Sequence, residues 1–229
     1  MAQQALYRDI QDWDHWPGCV TSVGEISADA SLVSFYREKQ SHRGIGERVS
    51  IKKLSAKQVN QDFLSEIGQL TNLEYLEIEI LTAEDLSPLS RLKQLKTLKL
   101  IGVRTASEFD VLLQLPRLER LFIENAKHIQ SIEFLAKAGN LVSLGVEGSM
   151  WTTQMITSLA PLVGLAKLEA LFLTSVRLKD KSLRYLADIP HLKVLECARF
   201  APKSEFEKLR KLMPHLGCHW CDEYEVERP

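Results

Sequence analysis

The chain lacks most of the signatures by which a sequence announces chemistry. Four cysteines in 229 residues are too few for a disulfide framework at this length. Three of them fall in the last 33 residues, and reduced thiols are expected. No charge of either sign dominates: 29 Lys and Arg face 30 Asp and Glu, a net charge of −1, so no global field recruits nucleic acid. No run approaches the roughly 20 apolar residues of a membrane-spanning helix. Residues 1–12 are polar, without the apolar core of a signal peptide. A cytoplasmic location with no membrane partner is therefore expected. Glycine-rich phosphate loops are missing too, since Gly44-x-Gly46 has no third glycine and no apolar strand before it. No zinc-protease or nucleophile-elbow motif occurs. No enzymatic activity and no cofactor are expected.

What is present is a folded composition, 45% hydrophobic and 26% charged, and a repeat. Leu73-x-x-Leu76-x-Ile78 returns as Leu95-x-x-Leu98-x-Leu100, Leu118-x-x-Leu121-x-Ile123 and Leu141-x-x-Leu144-x-Val146. It returns again as Leu168-x-x-Leu171-x-Leu173 and Leu192-x-x-Leu195-x-Cys197, at spacings of 22, 23, 23, 27 and 24 residues. Two degenerate copies are read at Val49-x-Ile51 and Leu216-x-x-His219-x-Cys221. In an extended segment alternate side chains share a face, so Leu76 and Ile78 point the same way. One such unit cannot bury that face alone; stacked copies form a parallel sheet over a continuous core. Between the strands the apolar spacing becomes three to four, as in Leu86, Leu89, Leu92 or Ile156, Leu159, Leu162. That spacing suits short helices or 3₁₀ turns. Pro116, Pro190 and Pro214 each stand two residues before a strand leucine, where no ladder donor is needed. Ser204-x-x-Glu207 offers a capping box for a last helix over about 205–213.

These residues resemble the bacterial leucine-rich-repeat proteins over about residues 46–221. Leu86, Leu89 and Leu92 are similar to the 22-residue repeat of internalin-like domains, and the segment 178–195 to longer bacterial repeats with a true helix. The resemblance implies an α/β solenoid of about eight repeats, with a parallel sheet on the concave face and short helices and 3₁₀ turns on the convex one. Residues 1–45 would then form an N-terminal cap and 222–229 an acidic tail. It also implies a non-catalytic protein–protein interaction module, used as an adaptor, inhibitor or neutralising protein. The sequence departs from the family at the ninth repeat position. There the usual asparagine gives way to Leu81, Val103, Ala126, Ser149, Val176 and Phe200, so the bend loses its usual side-chain bond to the backbone.

A solenoid exposes its core at both ends. The N-terminal aromatics Trp13, His15 and Trp16, beside Pro17, are read as a plug for the first strand, with a partner-docking arm as the alternative. Leu32 to Tyr36 reads as a strand, with Val20 to Ile26 as its partner. At the other end, Cys218-His219-Trp220-Cys221 suggests a zinc or thiol-redox site. The repeat frame argues for structural thiols instead, because it points Cys197 and Cys221 inward and Cys218 outward.

The frame also names the outward sheet face. Phe122 and Phe172 flank Gly145 there, with Arg120, Tyr75, Glu124 and Glu147 around them, which is the composition of an interface hot spot. Glu77 and Glu79 share the face as solvated carboxylates. The longest repeat inserts Met150-Trp151 beside this patch, and Trp151 is expected to overhang it. A protein partner, with the chain monomeric or weakly homodimeric through the patch, is the leading expectation. A nucleic-acid binder using Arg43, Arg48, Lys52 and Lys53 is the second alternative, and neutral net charge weighs against it.

Overall fold

The computed structural model describes residues 7–9 and 16–222. Trp13 and His15 of the aromatic cluster, and the tail beyond Asp222, lie outside the described residues. The chain divides into two compact units, residues 1–128 and 129–229.

The first unit carries five parallel strands: β1 (Leu32–Tyr36), β2 (Lys53–Val59), β3 (Tyr75–Leu81), β4 (Thr97–Val103) and β5 (Arg120–Glu124). Their register stacks Leu54, Leu76, Leu98 and Leu121 in one row, and Ala56, Ile78, Leu100 and Ile123 in the next. All eight are buried. A fully buried leucine contributes about 1.5–3 kcal/mol by leaving water, so each turn of the chain is stabilised mainly by its neighbours' side chains.

This register corrects the reading of the first repeat. Leu54 pairs with Leu76, so the unit is Ile51-x-x-Leu54-x-Ala56 and not Val49-x-Ile51. Ile51 is fully buried and occupies the place of Leu73, whereas Val49 is exposed. Alternation alone matched the wrong pair, because the Arg48–Ile51 segment is a turn, closed by Ile51 N–H to Arg48 O at 3.0 Å. The outward positions are therefore Lys53, Ser55 and Lys57. The sheet also begins earlier than expected, since β1 lies within residues 1–45 and pairs in parallel with β2. Val20 contacts it through a single parallel bridge to Phe35.

The bend that closes five of the repeats has a backbone solution. Gln58, Ile80, Gly102, Asn125 and Ser175 all occupy the eighth repeat position, and all have φ between 51° and 68°. A left-handed residue there turns the chain, and the next side chain (Val59, Leu81, Val103, Ala126 or Val176) drops into the core. An apolar ninth residue thus replaces the family's asparagine. The device costs most at Ile80, because a β-branched side chain crowds its own backbone at positive φ.

In this unit the return segments are α1 (Gln61–Ile67) and the 3₁₀ turns Ser87–Arg91 and Asp110–Gln114. Helix α1 starts at Asn60, whose side-chain oxygen accepts from Phe63 N–H at 3.0 Å. Phe63, Leu64 and Ile67 bury its inner face.

The second unit holds the parallel strands β6 (Ser143–Glu147), β8 (Ala170–Leu173) and β10 (Val194–Cys197). A smaller parallel pair, β7 (Gln154–Ile156) and β9 (Val176–Leu178), lies apart from them. Its return segments are the 3₁₀ turns Glu133–Lys137, Ala160–Gly164 and Arg184–Asp188. The segment expected to form a true helix, 178–195, therefore makes only a 3₁₀ turn. Helix α2 (Lys203–Leu212) follows. Its N-cap is Pro202, with no side-chain cap bond, so the capping box expected at Ser204 is not formed. Glu205 works across to the preceding repeat instead, accepting from Leu183 N–H at 3.0 Å and from Ser182 Oγ at 3.4 Å. A short helix, α3 (His219–Asp222), ends the described chain. Among the described residues no helix is long and apolar enough to cross a membrane.

Candidate interaction surfaces

On the outward face of the first unit, β2 to β5 present Ser55, Tyr75, Glu77, Thr97, Lys99, Arg120, Phe122 and Glu124. These side chains form a network instead of a solvated field. Glu77 accepts from Ser55 Oγ at 3.1 Å and from the Tyr75 hydroxyl at 3.2 Å. Burial first, then the Glu77 charge, pushes the Tyr75 phenol far above its ordinary value. Lys99 lies between two rings, 5.2 Å from the Tyr75 centroid and 5.8 Å from that of Phe122. Burial lowers the pKa of its ammonium, against the opposing pull of Glu77 and Asp9.

The N-terminal residues close this network from above. Thr97 Oγ1 donates to the Asp9 carboxylate at 2.6 Å, and Lys99 Nζ to the Asp9 carbonyl at 3.0 Å. The Arg8 guanidinium lies 5.9 Å from the Phe122 centroid, and Trp16 meets Tyr75 at 5.8 Å between centroids. Trp16 therefore packs on the outward sheet face and does not plug the open core. Residues 59 to 114 positions apart make these contacts, and repeat periodicity carries no signal for them.

The expected exposure of the aromatics is not found. Phe122 is only 7% exposed, because Arg8 and Lys99 flank its ring. Phe172, in the second unit, is completely buried. The register places it between Gly145 and Glu196. Tyr75 and Glu147 are buried as well; the Thr174 hydroxyl donates a short hydrogen bond to the Glu147 carboxylate. Arg120 and Glu124 keep partial exposure, and Arg120 lies 3.4 Å from Glu119.

The insertion of the longest repeat behaves differently. Met150 and Trp151 are 88% and 89% exposed, side by side at the tip of a tight turn. The turn is held from within. Ser149 N–H donates to Thr152 O at 2.8 Å, and Ser149 Oγ accepts from the N–H groups of Trp151 and Thr152 at 3.2 and 3.1 Å. Its base is fixed by Gly148 N–H to Thr174 O at 3.0 Å and by Gln154 N–H to Ser175 O at 2.9 Å. Gly148 is required there: a Cβ would collide with the carbonyl oxygens of Ser175 and Thr152. A rigid backbone thus holds two large apolar side chains in water.

At the C-terminus the repeat frame slips by one residue. Gly217 bridges Val194, with Leu195 N–H donating to Gly217 O at 2.9 Å. Cys218 thus aligns with Leu195 and is 3% exposed, not outward-facing as the sequence frame placed it. The chain then turns into α3, which brings Cys221 back beside Cys218. Among the described residues no three His, Cys, Asp or Glu side chains are grouped so as to hold a metal ion. Other lysines of the first unit pair with carboxylates, Lys96 with Glu74 at 2.7 Å and Lys57 with Glu79 at 2.9 Å.

The stacked parallel strands, the 22- to 27-residue period and the 3₁₀ return turns define one architecture. The chain folds as a leucine-rich-repeat solenoid. Solved structures of similar fold agree. An internalin of Listeria monocytogenes matches with a TM-score of 0.58 and 18% identity, over 76% of this chain and 51% of that chain. Internalin C2 of the same organism matches with a TM-score of 0.52 and 20% identity, over 74% and 70%. The Toll–Spätzle complex of Drosophila matches with a TM-score of 0.55 and 12% identity, over 72% and 23%. The solenoid thus spans about half the length of the first internalin. No protein-family model matches the sequence, and no curated protein is similar to it in sequence.

Proposed function

We propose that the solenoid is a non-catalytic, cytoplasmic protein-interaction module, and that the Met150–Trp151 turn is its principal contact. The observation that carries this reading is the 89% exposure of Trp151 on a turn whose backbone is pinned. Exposing an indole this fully forfeits the free energy of burying its large apolar surface. Fixing the turn in advance lowers the entropic cost of using that surface in a complex. Tryptophan on a preorganised loop is the composition that interface hot spots favour. In the first unit, Arg120 and Glu124 are the outward-face residues we assign to contacts with a partner. Phe122 and Tyr75 support that face from below in the first unit, and Phe172 and Glu147 support the outward face of the second in this reading. That solenoids of this fold bind proteins is supported by analogy, as in the Toll complex with Spätzle.

The test is affinity capture from a lysate of the source cell, with the wild type beside a Met150→Ala, Trp151→Ala double variant of confirmed fold. A hot spot worth about 2 kcal/mol implies roughly thirtyfold weaker binding, enough to lose a stoichiometric partner on washing. Undiminished capture by the variant would refute the turn as the contact.

A further inference from the structure

Three N-terminal residues meet the outward face of the first unit on three successive strands. Arg8 reaches Phe122 on β5, Asp9 reaches Thr97 and Lys99 on β4, and Trp16 reaches Tyr75 on β3. Neighbouring strands stand about 4.8 Å apart and consecutive Cα atoms about 3.8 Å, so Arg8 and Asp9 can each address a strand of their own. Tyr7 and Arg8 are helical, and Asp9 follows them as a turn residue with φ 48°. The face thus receives the end of a helical turn. The Asp9 carbonyl accepts from the Lys99 ammonium at 3.0 Å, a contact that the carbonyl end of a helix favours. The Asp9 carboxylate takes the Thr97 hydroxyl at 2.6 Å, and the Arg8 guanidinium stands against the Phe122 ring.

The face beneath is complete without these residues. Glu77 accepts from Ser55 and Tyr75, and Lys99 lies between the Tyr75 and Phe122 rings. The inward rows of the same strands, Leu76, Leu98 and Leu121 with Ile78, Leu100 and Ile123, build the core on the other side of the sheet. What the N-terminal residues contribute is two hydrogen bonds to side chains, a cation against a ring and a ring against a ring. Those are contacts of an interface, and a second chain presenting the same groups can make them instead.

We propose that the outward face of β3–β5 is a docking site for the end of a partner helix, and that Arg8, Asp9 and Trp16 occupy it in cis as a built-in competitor. The partner presents a cation to Phe122, a following aspartate to Thr97 and Lys99, and an aromatic ring to Tyr75. The proposal rests on reading the solenoid as a protein binder. It does not rest on the Met150–Trp151 turn, which belongs to the second unit; failure of either contact leaves the other standing.

The test titrates a fluorescent peptide, residues 1–17 of this sequence, into the wild-type chain and into an Arg8→Ala, Asp9→Ala, Trp16→Ala triple variant, followed by anisotropy. A tethered segment competes at an effective concentration on the order of 1 mM, so a peptide with a Kd of about 0.1 mM should bind the triple variant roughly tenfold more tightly than the wild type. Asp9→Ala in the peptide should weaken binding, and so should Thr97→Val in the triple variant. The two losses should not add, because one hydrogen bond accounts for both. Equal affinity for wild type and triple variant overturns the proposal, since it is what a purely structural cap predicts. Binding indifferent to Thr97→Val, or losses that add, places the peptide elsewhere and overturns it too. If circular dichroism shows the triple variant unfolded, Trp16→Ala alone takes its place. It leaves the Asp9 contacts intact and should still gain affinity for the peptide; no gain overturns the proposal.

Discussion

Replacing Gly148 by alanine should destabilise the second unit out of proportion to the one methyl group added. The added carbon has no room: it would press on the carbonyl oxygens of Ser175 and Thr152, and come within 2.9 Å of Gln154 N. All three are backbone atoms, so no side-chain rotation relieves the contact. Overpacking of this kind costs about 1–3 kcal/mol, and a backbone wall puts the cost at the upper end. Relief requires opening the turn, which gives up the bonds from Gly148 N–H to Thr174 O and from Ser149 N–H to Thr152 O. Each such bond contributes about 1 kcal/mol. For a chain of this size about 3 kcal/mol corresponds to a fall in Tm of roughly 6–12 °C. Thermal melting followed by circular dichroism reads it directly, with Gly139→Ala as the control. Nothing lies within 4 Å of a Cβ built at Gly139, so that variant should melt at or slightly above the wild-type temperature. A Gly148→Ala protein that melts with the wild type, or a Gly139→Ala protein that falls as far, would refute the steric argument.

Two other perturbations follow from polar groups held within the first unit. Asp9→Ala removes the carboxylate that accepts from Thr97 Oγ1 and leaves the backbone carbonyl that accepts from Lys99; a loss of about 1–3 kcal/mol and faster proteolytic release of the N-terminal residues are expected, and unchanged proteolysis would count against the contact. His42 is buried, with its ring 5.1 Å from that of Phe63. Desolvation first, then the Arg37 charge, lowers its pKa in the folded chain. Below about pH 6.5 the unfolded chain therefore takes up a proton that the folded chain resists. Stability should fall as pH drops through that value, and His42→Leu should flatten the fall; equal slopes in urea titrations of the two proteins between about pH 7.5 and 5 would exclude His42 as the cause.

The amino-acid pattern by itself determined the parallel strands, their period and their inward leucines. The physical reason is that a stacked repeat buries its core through near neighbours, so a local pattern repeated six times specifies it. Where the pattern was degenerate, the local rule failed. Val49-x-Ile51 satisfied alternation as well as the true Ile51-x-x-Leu54-x-Ala56 does, and only pairing with β3 chose between them. The last frame slipped for the same reason, placing Cys218 outside when the Gly217 bridge turns it in. The missing asparagine was legible as an absence, but the left-handed eighth residue that replaces it was not, since Gln58, Ile80 and Ser175 carry no turn signature. Which surface is free was decided by tertiary structure alone. Periodicity says which way Phe122 points; it cannot say that Arg8, Asp9 and Trp16 come to lie on that face. The Met150–Trp151 insertion was read correctly as a loop, and its exposure rests on hydrogen bonds from Ser149 and on the space at Gly148. Side-chain direction is a local property of a strand, whereas exposure depends on everything the rest of the chain brings near.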